Sequence, residues 1–340
     1  MKDLELLEEP KRGRMTKLFV SFMTLLSVCC IGFMNYNYDR LARYPYKDDS
    51  SRRLIKQYLN DEEIEYIITY SIPPNMFIAF IDQPGFSIYH ATEYKQLSNA
   101  LWYETPAHIV QMVEETRNTM DTQQLITYLQ EGNYTYENIS FWLDNQDSTL
   151  ITYAGNLDAN PDQTHTVSDR IPLNLVDVPG ELTGARKVRL RDDALNGLQS
   201  MCASMSSALG SSQSCAAMQV SEGFVSYEEQ KLEYEEASET YGSEASAWVS
   251  PPGHDEHQLG LAVDFSIPGL SDAMFARTIQ SQWLEQNAWR YGYVRTRNDI
   301  DESLNGMKPQ AWHYRYVGTD LANTLHTSGI TFAQYKSGTN

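Results

Sequence analysis

The pattern of hydrophobic and polar positions predicts a helical first half of the chain and a mixed second half. Apolar residues recur at helical spacing between residues 39 and 160, as Ile109, Met112 and Val113 illustrate. Beyond residue 187, helical and strand-like segments alternate. We predict helices over 195–209, 227–239, 272–289 and 320–328, and strands over 216–224, 260–266, 291–295 and 312–317. This order indicates an α+β domain with a small, mainly antiparallel sheet and flanking helices.

Residues 18–38 form an uncharged apolar run that predicts one transmembrane helix. About 20 such residues span the hydrocarbon core of a bilayer. Four basic residues lie before the run, which predicts a cytoplasmic tail over residues 1–17 and an extracytoplasmic remainder. A cleaved signal peptide is the alternative, but no Ala-x-Ala-like site follows the run. We therefore expect a signal anchor.

Three regions are expected outside the membrane. Residues 39–160 form a mostly helical region in which we find no chemical constellation. Residues 161–186 are predicted as a linker, because the polar, turn-rich stretch 158–169 marks a boundary. Residues 187–340 form the α+β domain.

The net charge of the chain is −19, which excludes a simple electrostatic mode of nucleic-acid binding. The same charge argues against electrostatic adhesion to anionic lipids or wall polymers. Acidity therefore indicates solubility of the exported part and says little about the substrate.

The exported part contains two cysteines, Cys202 and Cys215. Disulfides persist outside the cytoplasm, so these two residues are candidates for a bond. Two buried free thiols are the alternative, because sequence spacing does not give the distance between the Cα atoms.

The predicted strand 260–266 and the turn before it carry chemically active side chains. Alternate residues of a strand share a face, so the small Gly260 and Ala262 lie on the side of Asp264. They would leave an open floor beside its carboxylate, which suits a ligand or a metal. His257 lies in the preceding turn and could fold back toward that face.

The strand predicted over 312–317 offers a second histidine, His313. Placed beside His257 and Asp264, it completes a set of two nitrogens and one oxygen. Catalytic zinc commonly takes three protein ligands and keeps a fourth position for water. Hydrogen bonding at a sheet edge is the alternative role. Trp312 belongs either to the core or to the wall of a substrate cleft.

Several motifs resemble the zinc D-Ala-D-Ala carboxypeptidases associated with vancomycin resistance and their muramoyl-peptide-cleaving relatives. They are His257-x-x-Gly-x-Ala-x-Asp264, Gly223-Phe224-x-Ser226-Tyr227-x-x-Gln230 and Trp312-His313-Tyr314-Arg315-Tyr316-Val317-Gly318. The resemblance implies that His257, Asp264 and His313 bind Zn²⁺ in a domain over residues 187–340. It also implies the fold shared with the hedgehog signalling domain and peptidoglycan stem peptides as substrates.

The chain departs from the family pattern at two positions. Gln310 stands where the family has a glutamate that acts as general base, and Val225 stands where it has an arginine that holds the substrate and the oxyanion. Loss of a general base costs about 10²–10⁴-fold in rate. Gln230, by contrast, matches a glutamine that the resemblance implies contacts the peptide.

The resemblance therefore predicts a peptidase of the bacterial cell membrane that is slow or inactive unless another acid replaces Gln310. Glu256 is not expected to do so, because active relatives commonly carry a glutamate there too. An acid from the loop before the last strand could swing in, namely Asp299, Asp301 or Glu302. The alternative is a pseudoenzyme that binds muropeptides at a retained zinc site.

Overall fold

The computed structural model describes residues 12–36, 39–145, 148–184, 186–215 and 217–338. The chain divides into two compact units, residues 1–114 and residues 115–340. Most of the predicted cytoplasmic tail, the last two residues of the predicted anchor (37 and 38) and Ala216 of the first predicted strand lie outside the described residues.

The first unit is helical. Its first helix contains residues 16–33, a stretch long and apolar enough to cross a membrane, and none of that stretch is buried. The remaining helices bury a core that includes Leu41, Ile55, Ile67 and Ile88. The helices are α1 (Arg12–Tyr36), α2 (Asp49–Tyr58), α3 (Asp61–Thr69), α4 (Ala91–Ala100) and α5 (Pro106–Thr116), the last of which ends in the second unit.

The second unit mixes helices with short strands. Its helices are α6 (Thr122–Gln130), α7 (Tyr136–Asn145), α8 (Gly180–Thr183), α9 (Asp192–Leu209), α10 (Tyr227–Tyr241), α11 (Ala245–Trp248), α12 (Asp272–Phe275), α13 (Ile279–Asn287), α14 (Glu302–Asn305), α15 (Thr319–Ser328) and α16 (Phe332–Ser337). Its strands are β1 (Thr149–Leu150), β2 (His165–Thr166), β3 (Leu175–Asp177), β4 (Arg189–Arg191), β5 (Gln219–Glu222), β6 (Ala262–Ser266), β7 (Tyr293–Val294) and β8 (His313–Tyr316).

The central sheet has four antiparallel strands in the order β5-β6-β8-β7. Val263 and Phe265 of β6 and Tyr314 of β8 are buried on the core face of the sheet. Helix α9 ends at Gly210, as predicted, and buries Leu198 and Met205. The structure confirms the predicted α+β class with a small antiparallel sheet, preceded by a helical region.

Two local predictions were wrong. The single helix predicted over 272–289 is two helices, because the Thr278 side chain accepts a hydrogen bond from the Ser281 amide and caps a new helix, α13. Gly260 lies before strand β6 with φ of +68°, and a Cβ there would meet Leu175 at 2.7 Å. The glycine therefore serves a tight turn against a packed neighbour and does not form an open floor.

Residues 115–186 lie in the same compact unit as the sheet. The side chain of Gln258 donates to the Ser168 carbonyl at 2.7 Å, and the Thr166 hydroxyl donates to the Gly253 carbonyl at 3.0 Å. The segment predicted as a linker contains strands β2 and β3 and helix α8. Such hydrogen bonds between buried groups hold it against the turn that carries His257.

Candidate metal centre

The antiparallel pairing of β6 with β8 sets Asp264 directly opposite His313. Directly paired residues have their side chains on the same face of a sheet, so both point to one site. His257 reaches that site from a short 3₁₀ turn, Glu256–Leu259, which Asp255 caps by accepting from the His257 amide. The ligand atoms of the three residues lie within 4.8 Å of one another.

Hydrogen bonds on the far side of each ring orient the two histidines. Nδ1 of His257 lies 2.7 Å from the Gly223 carbonyl, and Nε2 of His313 lies 2.8 Å from a carboxylate oxygen of Glu256. Each of these ring nitrogens must donate, so in the neutral ring, the form that binds a metal, the opposite nitrogen has a lone pair. Histidines that bind metals are commonly oriented in this way.

The inward-facing atoms match the donor set that catalytic zinc commonly takes. Nε2 of His257 is buried with no hydrogen-bond partner, 3.3 Å from Oδ1 of Asp264. Nδ1 of His313 lies 2.8 Å from the same oxygen. In a tetrahedral zinc site with bonds of about 2.1 Å, ligand atoms lie about 3.4 Å apart. The three residues therefore fit zinc.

The charge distribution also favours a cation. Burial lowers the pKa of His257, but the carboxylates of Asp264, Glu222 and Asp255 outweigh it and raise the pKa to about 10. Burial raises the pKa of Asp264, and the two histidines outweigh that effect and lower it well below its usual value. The site thus attracts a proton strongly, and a metal ion would replace that proton.

Glu256 connects the site to a buried arginine. One of its carboxylate oxygens accepts from Arg315 at 2.9 Å, and the other accepts from Thr296 at 2.5 Å as well as facing His313. Burial opposes ionisation of Glu256, but the Arg315 guanidinium outweighs it and lowers the pKa of the carboxyl. Glu256 is therefore committed to positioning His313 and to neutralising Arg315.

A cavity of about 140 Å³ opens beside His257 and Asp264. Gln230, Gln310 and Trp312, three of the residues singled out from the sequence, line it. Val225 is buried and is not among the described residues that line this cavity.

The acids expected from the loop before the last strand do not line the cavity either, in the part of the chain that the structure describes. Asp301 accepts from Asn298 and Thr331, and Glu302 accepts from Lys308. These loop carboxylates already have partners of their own.

Residues 187–319 match the family model described as VanY, D-alanyl-D-alanine carboxypeptidase. The second unit therefore contains a segment that is similar to this family. The D-alanyl-D-alanine carboxypeptidase of Enterococcus faecalis is 36% identical over 93 residues, which cover 27% of this chain and 34% of that protein. The putative carboxypeptidase YodJ of Bacillus subtilis is 31% identical over 118 residues, which cover 33% of this chain and 43% of that protein. The chain thus spans less than half the length of these relatives.

A solved structure of the LdcB LD-carboxypeptidase, described as revealing the basis of peptidoglycan recognition, has the same fold. Its TM-score is 0.50 at 24% identity, and the match covers 56% of this chain and 90% of that one. The structural match, at 56% of this chain, is longer than the family match over residues 187–319. The fold therefore extends beyond the VanY domain match.

Both ends of the Gln310 amide are held by hydrogen bonds. Its oxygen accepts from Arg297 Nη1 at 2.7 Å, and its nitrogen donates to the Trp248 carbonyl at 3.0 Å. Arg297 is itself held by Asp255 at 2.7 Å. The environment offers one donor, Arg297, and one acceptor, the Trp248 carbonyl, which matches an amide. A carboxylate at this position would place one of its oxygens against the Trp248 carbonyl.

Sequence reasoning missed two acids of the cavity, Glu222 and Glu233. Glu222 Oε2 lies 3.8 Å from Nε2 of His257. Burial raises the pKa of Glu222, and burial together with the Glu222 charge raises the pKa of Glu233 to about 7. Glu222 directly precedes the Gly223-Phe224 motif, and this position in the sequence could have identified it as a candidate site residue.

Cys202 on α9 and Cys215 before β5 are joined by a disulfide in the structure, with their Cα atoms 5.4 Å apart. This distance lies in the middle of the range that disulfides require. The bond ties the second half of α9 to the segment leading into β5, and so to the strand that carries Glu222.

Proposed function

We propose that the protein is a zinc peptidase of the D-Ala-D-Ala carboxypeptidase type that acts on peptidoglycan stem peptides outside the cell. The VanY match over residues 187–319 supports the reaction class. When bound, zinc would polarise the scissile carbonyl and activate the attacking water. Its ligands would be His257, Asp264 and His313.

The single observation that carries the proposal is the convergence of one ligand atom from each of His257, Asp264 and His313, all within 4.8 Å of one another. Nε2 of His257 is buried and makes no well-formed hydrogen bond, although it lies 3.3 Å from Oδ1 of Asp264, so a metal ion would complete its contacts. Asp264 and His313 converge on the same point, and the cavity beside them gives a peptide access. A metal ion in contact with a substrate satisfies all three observations.

Each residue of the site has a distinct part in this function. Gly223 and Glu256 orient the two histidines through their outer nitrogens. Gln230, whose amide donates to the Ser250 carbonyl at 2.8 Å, and Trp312 would wall the peptide cleft. A partly closed cleft keeps bulk water from the reacting carbonyl.

A zinc-binding pseudoenzyme is the second candidate, and the hydrogen bonds of Gln310 favour it. An amide held at both ends cannot accept the proton of the attacking water. Such a protein would bind muropeptides at the metal without cleaving them.

Zinc quantification combined with mass spectrometry of purified muropeptides separates the candidates. One zinc per chain with loss of a terminal D-Ala supports the peptidase. One zinc per chain with muropeptide binding but no cleavage supports the pseudoenzyme. A protein that binds neither zinc nor muropeptide contradicts both.

Helix α1 would anchor this activity to the membrane. Its residues 16–33 are apolar and unburied, as a lipid-facing helix requires. We propose a signal anchor with the VanY domain on the outer side, next to the wall peptides.

A further inference from the structure

The cavity beside the proposed metal centre contains carboxylates other than the one expected at position 310. Asp264 is committed to the metal, and Asp255 accepts from both Arg297 and the His257 amide. Glu222 and Glu233 remain. Neither is used by the reaction as described so far.

A β-bulge aims Glu222 into the site. Val220 pairs with Phe265, whereas Glu222 pairs with Asp264, so the intervening Ser221 is an extra residue in β5. Without the bulge, Glu222 would share the core face with Val220, because a one-residue shift moves a side chain to the other face. The Ser221 hydroxyl donates to the Asp264 carbonyl at 3.1 Å and holds the bulge closed.

The Glu222 carboxylate is placed to reach a water at the metal. Its Oε2 lies 3.8 Å from Nε2 of His257, and 36% of its side chain is exposed. Within 4 Å, no other charged partner of this carboxylate occurs among the described residues. The Glu222 carboxylate therefore lies close to one proposed ligand atom. It does not belong to the group of His257, Asp264 and His313, whose ligand atoms all lie within 4.8 Å of one another. This is the location of a group that contacts a ligand of the metal without binding the metal itself.

We propose that Glu222 supplies the proton acceptor that Gln310 cannot supply, an inference that rests on the proposed peptidase function. The oxygen of the attacking water forms a bond to the scissile carbonyl carbon while one of its protons passes to the Glu222 carboxylate. The carbon–nitrogen bond then breaks, and Glu222 returns the proton to the departing amine. The products are the shortened peptide and free D-Ala, and Glu222 ends the cycle ionised.

The test compares the unaltered protein with Glu222→Gln, Glu285→Gln and the double variant Glu222→Gln with Gln310→Glu. Glu285→Gln is the matched control, since it makes the same change in an acid that is 69% exposed and does not line the cavity. For each protein we would measure zinc per chain, zinc affinity by chelator competition, and D-Ala release from muropeptides ending in D-Ala-D-Ala.

We expect Glu222→Gln to lose about 10²–10⁴-fold in turnover, the usual contribution of a general base. Zinc content and zinc affinity should stay close to those of the unaltered protein, and Glu285→Gln should keep its turnover. The double variant should recover part of the loss, because position 310 lines the same cavity and a carboxylate there would return a proton acceptor to it. A purely structural role of Glu222 would not allow such a rescue.

Three results would overturn the inference, and they differ in whether they also contradict the proposed peptidase function. Undiminished turnover in Glu222→Gln overturns the role of Glu222 alone and leaves the peptidase function intact. Loss of zinc affinity in that variant identifies Glu222 as a metal ligand. Zinc-bound but inactive unaltered protein removes the peptidase function and the role of Glu222 together.

Discussion

The Glu256→Gln substitution tests how the metal centre is held. Glu256 is the only acid among the described residues that contacts both His313 and the buried Arg315. An amide of the same shape keeps the packing but removes the negative charge. Its NH₂ group would also face a donor on one side, either Arg315 or the Thr296 hydroxyl.

The substitution should change two quantities, the folding free energy and the zinc affinity. Arg315 is 0% exposed, and its remaining polar contacts are the carbonyls of Leu157 and Ala159. Removing one partner of a buried ion pair costs about 3–5 kcal/mol of folding free energy. The loss of the carboxylate behind His313 should weaken zinc binding about 10–100-fold, as for other groups behind metal ligands.

Two assays separate these effects. Urea unfolding of the zinc-free proteins measures the change in stability, and competition with a chelator measures the change in zinc affinity. Glu285→Gln is the matched control, because Glu285 is 69% exposed and its ion pair with Arg295 is worth about 0–1 kcal/mol. If Glu256→Gln changes both quantities no more than Glu285→Gln, the assigned function of Glu256 is wrong.

Three further predictions follow from other parts of the chain. Labelling of the unfolded, unreduced protein should find no free thiol at Cys202 or Cys215, and reduction should cost about 3 kcal/mol, the chain-entropy value for a loop of about 15 residues. In the zinc-free protein the pKa of His257 is raised from 6.5 to about 10, so the stability it contributes is complete below pH 6.5 and is lost as pH rises through 10. Urea midpoints measured across that range should therefore fall for the zinc-free protein and not for a His257→Gln variant. The full chain should fractionate with membranes, whereas a chain lacking residues 1–38 should be soluble, because residues 16–33 are the apolar stretch.

The sequence was sufficient for the α+β class and for the side of the sheet that carries the candidate site. Alternation along β6 and β8 indicated the faces of Asp264 and His313, and their register in the structure places them opposite each other. Helix α9 could be predicted as well, because a terminal glycine and a single apolar stripe mark it.

The features that the sequence did not indicate depend on tertiary contacts or on side chains that can act in more than one way. The bulge at Ser221 reverses the face that simple alternation assigns to Glu222, and no local residue type announces it. The break of the helix predicted over 272–289 depends on Thr278, which can cap a helix or continue one. The fixed orientation of Gln310 depends on Trp248 and Arg297, which are distant in sequence.

With Glu222 as the proton acceptor, the departure at position 310 becomes a change in the location of a carboxylate. A glutamate at position 310 would lie beside Arg297 but also against the Trp248 carbonyl, where two oxygens repel each other. Glutamine removes that repulsion and keeps Arg297 engaged with Asp255. Glu222 enters the same cavity from β5, where the bulge turns it toward His257. A chain that had merely lost its activity would have no need to turn a charged side chain from the core face of a strand into the site, so the bulge favours a working peptidase over a pseudoenzyme.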